Sequence, residues 1–218
     1  MTDLHFEQLD QEGYTIIPDF LNQQTTRSIR RHIDTLVPPD DTPPENRKRW
    51  HTVLRHPIPG AIMAELIDHP PIRIIATQLL QSRELRLLEQ VLIRSDPKPP
   101  PHGPSGWHVD WTFLPRNYEA VPHQTYFHMV HALNTVPPGG AAFMIVPGSH
   151  HLTYAASAKI NTAEDLAQLK RDPVGVADID TSKGIEICPN EGALLIFNPM
   201  ALHSASGTAT DQPRYVYF

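Results

Sequence analysis

The sequence predicts a mainly β protein with flanking helices, and three features carry that expectation. Amphipathic helical spacing dominates the N-terminal part of the chain, up to Gln81. From Leu85 onward the rhythm changes to short apolar runs: LRLLEQVLIR, WHVDWTFL, QTYFHMVHALN, AAFMIVPG, GIEICPN, EGALLIFNP and RYVYF. Gly, Pro or Asn separates these seven strand candidates, which argues for an antiparallel sandwich or barrel with helices supplied by the N-terminal third. At 218 residues the chain suits one domain, with residues 1–84 as helical support and lid loop and residues 85–218 as core.

Taken in order, residues 6–36 read as helix, short strand, helix: FEQLDQEG, YTIIPDF and LNQQTTRSIRRHIDTL. Asn22 can cap the second helix, whose Ile29, Ile33 and Leu36 share one face. Residues 37–60 are polar and rich in proline, as expected of a long loop or lid, and carry Arg47, Arg49 and Arg55. The stretch Ala61 to Gln81 has helical spacing broken by HPP at 69–71, so two helices are expected there. Residues 152–175 interrupt the strands as an insertion, with NTAEDLAQLK as one exposed helix opened by Asn161 or Thr162. No internal repeat is visible.

Composition narrows the function classes. A net charge of -6 and the lack of any basic stripe give no footprint for nucleic acid. No apolar run approaches the ~20 residues that span a bilayer, so no membrane partner is expected. One cysteine, Cys188, cannot form an internal disulfide, and the polar opening MTDLHFEQLD has no apolar signal segment, which fits a cytoplasmic protein. Thirteen histidines invite a search for a metal site, since neutral imidazole is a common transition-metal ligand.

That search converges on WHVDW. On a strand, residues i and i+2 project from one face, so His108 and Asp110 would point together into the interior. His203, just after the apolar run ALLIFNP, is placed to supply the second imidazole from a distant strand. Two histidines and one carboxylate on one face leave three positions open on a six-coordinate iron, as Fe(II) oxygenases require, although zinc hydrolysis could use the same ligands. Arg214 favours the first option. It follows His203 by eleven residues on RYVYF, and its guanidinium suits the distal carboxylate of 2-oxoglutarate.

In these features the sequence resembles the phytanoyl-CoA dioxygenase family of Fe(II)- and 2-oxoglutarate-dependent oxygenases over nearly its whole length. The resemblance runs through EQLDQEGYTIIPDFLNQQTTRSIRRHID, the H-x-D of WHVDW, LNTVPPGGAAFMIVPGSHH and HSASGTATDQPR. It implies a double-stranded β-helix (jelly roll, cupin-like) under an N-terminal helical layer, with Fe(II) on His108, Asp110 and His203 and with Arg214 binding 2-oxoglutarate. It further implies that Gln90 lines the oxoglutarate pocket, and that Asp110, replaced by a small residue in related halogenases, directs the enzyme to oxygenation. Many relatives read H-x-S after the distal histidine; here Ala205 takes the second place between Ser204 and Ser206, and Ser206 is the candidate hydroxyl.

The activity so implied is oxidation, most simply hydroxylation, of a small-molecule substrate with O2 and 2-oxoglutarate, releasing succinate and CO2. On the strand QTYFHMVHAL, Tyr126, His128 and Val130 share the face expected to point inward, which makes His128 a candidate near the substrate. Trp111, beside the metal motif, is a candidate for the substrate wall, and Arg49 and Arg55 could clamp an anionic substrate group. His150 in PGSHH is expected to close a turn rather than bind iron. Two other readings use the same residues: a metal-dependent hydrolase or isomerase on a cupin-like barrel, and a non-catalytic small-molecule-binding barrel.

Overall fold

The computed structural model describes residues 1–104, 106–110 and 126–218. Its strands form two antiparallel sheets. The first holds six strands in the order β1 (Tyr14–Ile17), β7 (Leu194–Phe197), β4 (His128–Ala132), β9 (Arg214–Tyr217), β3 (Val91–Ser95) and β2 (His51–Arg55). The second holds β6 (Ile185–Ile187), β5 (Phe143–Ile145) and β8 (His203–Ala205). Their facing residues form one apolar core, with Val130, Leu195, Phe197 and Val216 from the large sheet against Ile145 and Ile187 from the small one. This is the two-sheet layout of a jelly roll, with sheets that do not close into a barrel.

Helices cover the outer face of the large sheet. α1 (Asp3–Glu12) and α4 (Pro70–Leu80) pack on Leu194 and Ile196, whereas α2 (Gln23–Leu36) and α3 (Ala61–Ile67) pack on Leu92, Leu133, Tyr215 and Tyr217. β7 and β9 are therefore buried on both faces, which explains why ALLIF reads as a continuous apolar run rather than an alternating one. Asn22 caps α2 by accepting from the Thr25 N–H at 2.9 Å, and Ile29 and Ile33 are fully buried. Gly192 precedes β7 with φ +88°, where a Cβ would collide with the Leu21 carbonyl oxygen, so glycine lets the α2 entry lie against this strand.

Several elements depart from the sequence expectation. The 37–60 loop contains β2, an edge strand that pairs with β3 from His51↔Ser95 to Arg55↔Val91. Of the run LRLLEQVLIR only Val91 to Arg94 enters a strand, β3; Leu87 and Leu88 are exposed and have no partner strand among the described residues. WHVDW contributes an isolated bridge, His108 to His203, in place of a full strand among its described residues. The insertion holds three helices, α5 (Ser149–Ser157), α6 (Ala163–Arg171) and α7 (Pro173–Val176), with Thr162 as the α6 cap. No helix of the described residues is long and apolar enough to cross a membrane.

One buried group between sheet and helices sets an acid limit. His131 on β4 is 3% exposed, lies between Phe20 and Tyr217, and its Nδ1 has no hydrogen-bond partner among the described residues. Burial, with a smaller contribution from His69, pushes its pKa down from 6.5 to about 3. The folded chain thus keeps this ring neutral while the unfolded chain protonates it near pH 6.5, so its contribution is complete above that pH and is lost as pH falls toward 3. In denaturant titrations between pH 6 and 4, His131→Phe is expected to flatten the fall in stability by up to one proton's worth, ~1.4 kcal/mol per pH unit. An unchanged slope contradicts the assignment.

Candidate metal centre

The site is assembled by the turn that leads into β8. Asn198 accepts from the Met200 N–H at 2.9 Å through its side chain and from the Ala201 N–H through its carbonyl. Its own N–H donates to the Gly13 carbonyl at the end of α1. One residue before His203, the Leu202 N–H donates to Ser149 Oγ at 2.8 Å. The PGSH segment thereby serves the site without entering it: Ser149 anchors the turn and opens α5, and His150 bonds the Asp10 carbonyl at 2.9 Å.

His203 and His108 exchange both backbone hydrogen bonds, each 2.9 Å, and the Asp110 N–H donates to the Pro199 carbonyl at 2.9 Å. The antiparallel bridge places the two imidazoles side by side, with ring centroids 4.3 Å apart. Strand parity does the rest: His108 and Asp110 face the β8 histidine, while Trp107 and Val109 pack away from it on Val146, Ala177, Ile179 and Leu202. Donor atoms of His108, Asp110 and His203 all lie within 4.8 Å of one another. His203 Nε2 is 3.1 Å from Asp110 Oδ2 and His108 Nε2 is 3.7 Å from Oδ1.

The protonation pattern suits a cation. His203 Nδ1 lies 2.9 Å from the Ala201 carbonyl and His108 Nδ1 lies 3.1 Å from the Gly106 carbonyl. A carbonyl only accepts, so each Nδ1 carries the proton and each Nε2 presents a lone pair to the site. Burial works to raise the Asp110 carboxyl, but the surrounding imidazoles of His203, His128 and His108, His203 foremost, outweigh it and hold the group down at about 2. Burial also lowers His108, with His203 adding to the effect. The result is an ionised carboxylate and imidazole lone pairs aimed at one point, the state a metal needs.

Arg214 completes the picture on the inner face of β9. It is 7% exposed, its Nη1 donates to the Ala141 carbonyl, and its Nη2 donates to Ser95 Oγ at 3.3 Å. Its Nε has no partner, and no carboxylate pairs with it among the described residues. Arg94 on the other face of the same sheet shows the contrast, because Asp96 neutralises it with contacts of 3.1 to 3.2 Å. Burial alone pulls the Arg214 pKa down to about 10. A buried guanidinium with no counter-ion calls for an anion. It borders a small cavity of about 30 Å³ walled by Val130, Phe143, Leu195, Val216 and Phe218, inside the core that the metal donors flank.

The other sequence candidates fall in different places. Ser206 is buried, its N–H donates to the Ala142 carbonyl, and its Oγ has no partner; it sits one residue along from the Ala141 carbonyl that takes Arg214. His128 points inward, with Nε2 at 3.3 Å from Asp110 Oδ2. Gln90 requires a correction. The two-residue period puts it with Leu92 and Arg94 on the helix-covered face, where its amide donates to Tyr217 Oη at 2.7 Å and its oxygen meets His56 Nδ1 at 2.9 Å. It faces away from the Arg214 cavity, and both ends of its amide are engaged on the helix-covered side. Arg55 is exposed and pairs with Glu89 at 2.8 Å, and Arg49 is exposed. Trp111 lies outside the described residues.

Ser95 and His51 were missed by the sequence reading. Ser95 Oγ accepts from Arg214 and lies in hydrogen-bond contact with His51 Nδ1 at 3.1 Å. The alternation in VLIRS places Ser95 on the face of Ile93, but only the β3–β9 register, Ser95↔Arg214, shows that this face meets the arginine.

The sequence profile of the phytanoyl-CoA dioxygenase (PhyH) family matches residues 9–216. The chain belongs to this family. PhyH membership makes it a non-haem enzyme dependent on Fe(II) and 2-oxoglutarate, with O2 as co-substrate. Among curated proteins no sequence match is found. Among solved structures, the PhyH chain is similar to the epimerase SnoN in complex with Fe3+, α-ketoglutarate and nogalamycin RO. That pair shares 18% identity at TM-score 0.68, over 99% of this chain and 80% of SnoN. It is similar to EvdO2 of Micromonospora carbonacea var. aurantiaca complexed with 2-oxoglutarate, at 17% identity and TM-score 0.67, over 100% and 89%. HygX of Streptomyces hygroscopicus, with nickel, 2-oxoglutarate and hygromycin B bound, gives 17% identity and TM-score 0.66, over 100% and 85%. At such identities the likeness is one of fold.

The donor set passes the chemical test for iron. One carboxylate and two imidazoles on one side match non-haem Fe(II), and the unpaired buried Arg214 matches a dicarboxylate co-substrate.

Proposed function

We propose that His108, Asp110 and His203 hold one Fe(II), that Arg214 takes the distal carboxylate of 2-oxoglutarate, and that the enzyme hydroxylates a small molecule with release of succinate and CO2. The observation that carries this reading is the pairing of three converging donors with a buried guanidinium that has no counter-ion among the described residues. Bound iron supplies the activation of O2 that couples decarboxylation of oxoglutarate to oxidation of the substrate.

The chain's own groups supply binding and order. The Gly106 and Ala201 carbonyls hold the two imidazoles so that both Nε2 atoms face one point. Arg214 offers its planar fork to a carboxylate, with Ser95 Oγ fixing the fork from one side and the Ala141 carbonyl from the other. Ser206, whose Oγ is buried without a partner, is placed to add a hydroxyl contact to the same carboxylate. The cavity of about 30 Å³ has room for no more than one water, so side chains of its lining must shift to admit oxoglutarate. The apolar walls then keep bulk water from the oxidising centre. Arg55 lies on the same face of β2 as Val53 and His51, and its exposed pair with Glu89 is weak enough for an anionic substrate group to displace, with Arg49 as a second exposed cation.

Incubating the protein with Fe(II), 2-oxoglutarate and a candidate small molecule under 18O2 tests the reading. Succinate formation with one labelled oxygen in the product supports hydroxylation. Succinate formation with an unlabelled product supports a desaturation or ring-forming outcome in its place, and no succinate contradicts the site.

A further inference from the structure

His128 is a partly buried group near the metal donors that the scheme above does not use. Its ring stacks on Phe197 with centroids 4.8 Å apart and planes 21° apart, and Phe218 meets it edge-on at 6.0 Å. Its Nε2 is buried and makes no aligned hydrogen bond among the described residues, yet it lies 3.3 Å from Asp110 Oδ2. The same oxygen is 3.1 Å from His203 Nε2, while Oδ1 is turned to His108. Asp110 is thus surrounded by three imidazoles, of which two present lone pairs because carbonyls take their Nδ1 protons. A metal would stand between Asp110 and those two lone pairs, but His128 lies outside that donor group, so only a proton on its Nε2 makes its close approach to the carboxylate attractive.

We propose that His128 is a positioning residue for the metal site: its Nε2–H holds one oxygen of Asp110 and so leaves the other for the metal. The proposal rests on the assignment of His108, Asp110 and His203 as ligands. A carboxylate free to turn can offer both oxygens and take a second coordination position. Held on one oxygen, it takes one, and three positions remain for a chelating oxo acid and O2. Were His128 itself a fourth ligand, only two positions would remain. The compact donor set also excludes it, since His108, Asp110 and His203 alone form the group within 4.8 Å among the described residues.

The test is Co(II) binding to the apoprotein without oxoglutarate, read by calorimetric titration and by the visible spectrum of the bound ion. His128→Phe keeps an aromatic ring on Phe197 and removes the N–H; His128→Leu removes it with a smaller side chain, and apoprotein melting identifies which variant is folded. His128→Gln restores an N–H at similar reach. The expected result is a 10- to 100-fold weaker Kd, the range typical for loss of such a partner, in the folded Phe or Leu variant. His128→Gln is expected to return to within a few-fold of the parent with the same Co(II) spectrum. Parent-like affinity in His128→Phe or His128→Leu overturns the proposal, leaving packing as the residue's role. Equal loss in His128→Gln with an altered spectrum also overturns it, because it makes His128 a ligand. His203→Ala reports on the underlying assignment alone: if it binds Co(II) like the parent, the ligand set is wrong whatever His128 does.

Discussion

Asp110→Ala is expected to weaken Fe(II) or Co(II) binding by about 10³-fold, or ~4 kcal/mol, and to remove oxoglutarate turnover with it. Of the three donors only this one carries charge, and it is ionised throughout the useful pH range because its neighbours hold it down at about 2. Without it, neutral imidazoles must hold a dication alone, on a half-open face where His108 is more than half exposed. The alanine also removes the anion that His108, His128 and His203 share, so the apoprotein should lose the stability this carboxylate contributes. That contribution is complete above about pH 4 and fades as pH falls toward 2. Asp110→Asn separates charge from shape: it keeps an oxygen in place and is expected to recover only a small part of the affinity. Metal titration by calorimetry checks both variants, and retention of parent-like binding in Asp110→Ala contradicts the assignment.

Arg214→Ala is expected to raise the KM for 2-oxoglutarate by at least about 10²-fold, ~3 kcal/mol, while leaving Co(II) affinity unchanged. The guanidinium is buried, has no counter-ion among the described residues and is fixed by Ser95 and Ala141, so it is built for a ligand that arrives from outside. Arg214→Lys keeps the charge and loses the planar fork, and should recover part of the binding only. The apoprotein supplies a second readout. A buried cation without a partner is a burden before the ligand binds, so Arg214→Met should leave apoprotein stability within ~1 kcal/mol of the parent, whereas a structural ion pair would lose 3–5 kcal/mol. A metal-dependent hydrolase on the same fold makes the opposite forecast, since its activity would survive Arg214→Ala.

The sequence made the local parts of this site legible and left the long-range parts hidden. His108 and Asp110 were readable because a two-residue period needs no knowledge of the partner strand, and Trp107 and Val109 fell on the opposite side for the same reason. His203 was readable as a residue following a buried run and brought in from a distant strand, although the strand that holds it, β8, is too short at three residues to announce itself. Gln90 came from the resemblance alone, and a correspondence along the chain does not say which side of the sheet a residue just before β3 occupies; its partner Tyr217 shows that side. Ser95 and His51 were invisible for a related reason. Their role depends on the register of β2, β3 and β9, three strands far apart in sequence. The helices of the insertion beyond NTAEDLAQLK escaped because α5 opens inside the PGSH turn and α7 has only four residues.

The central claim is that iron and oxoglutarate meet at one point defined by His108, Asp110, His203 and Arg214. Anaerobic addition of Fe(II) and then 2-oxoglutarate to the apoprotein, followed by visible absorption, tests it without any knowledge of the substrate. A weak charge-transfer band that develops in the parent and is missing in Asp110→Ala and His203→Ala, with Arg214→Ala needing far more oxoglutarate, is the predicted result. No band in the parent at saturating Fe(II) and oxoglutarate, or an undiminished band in His203→Ala, would contradict it.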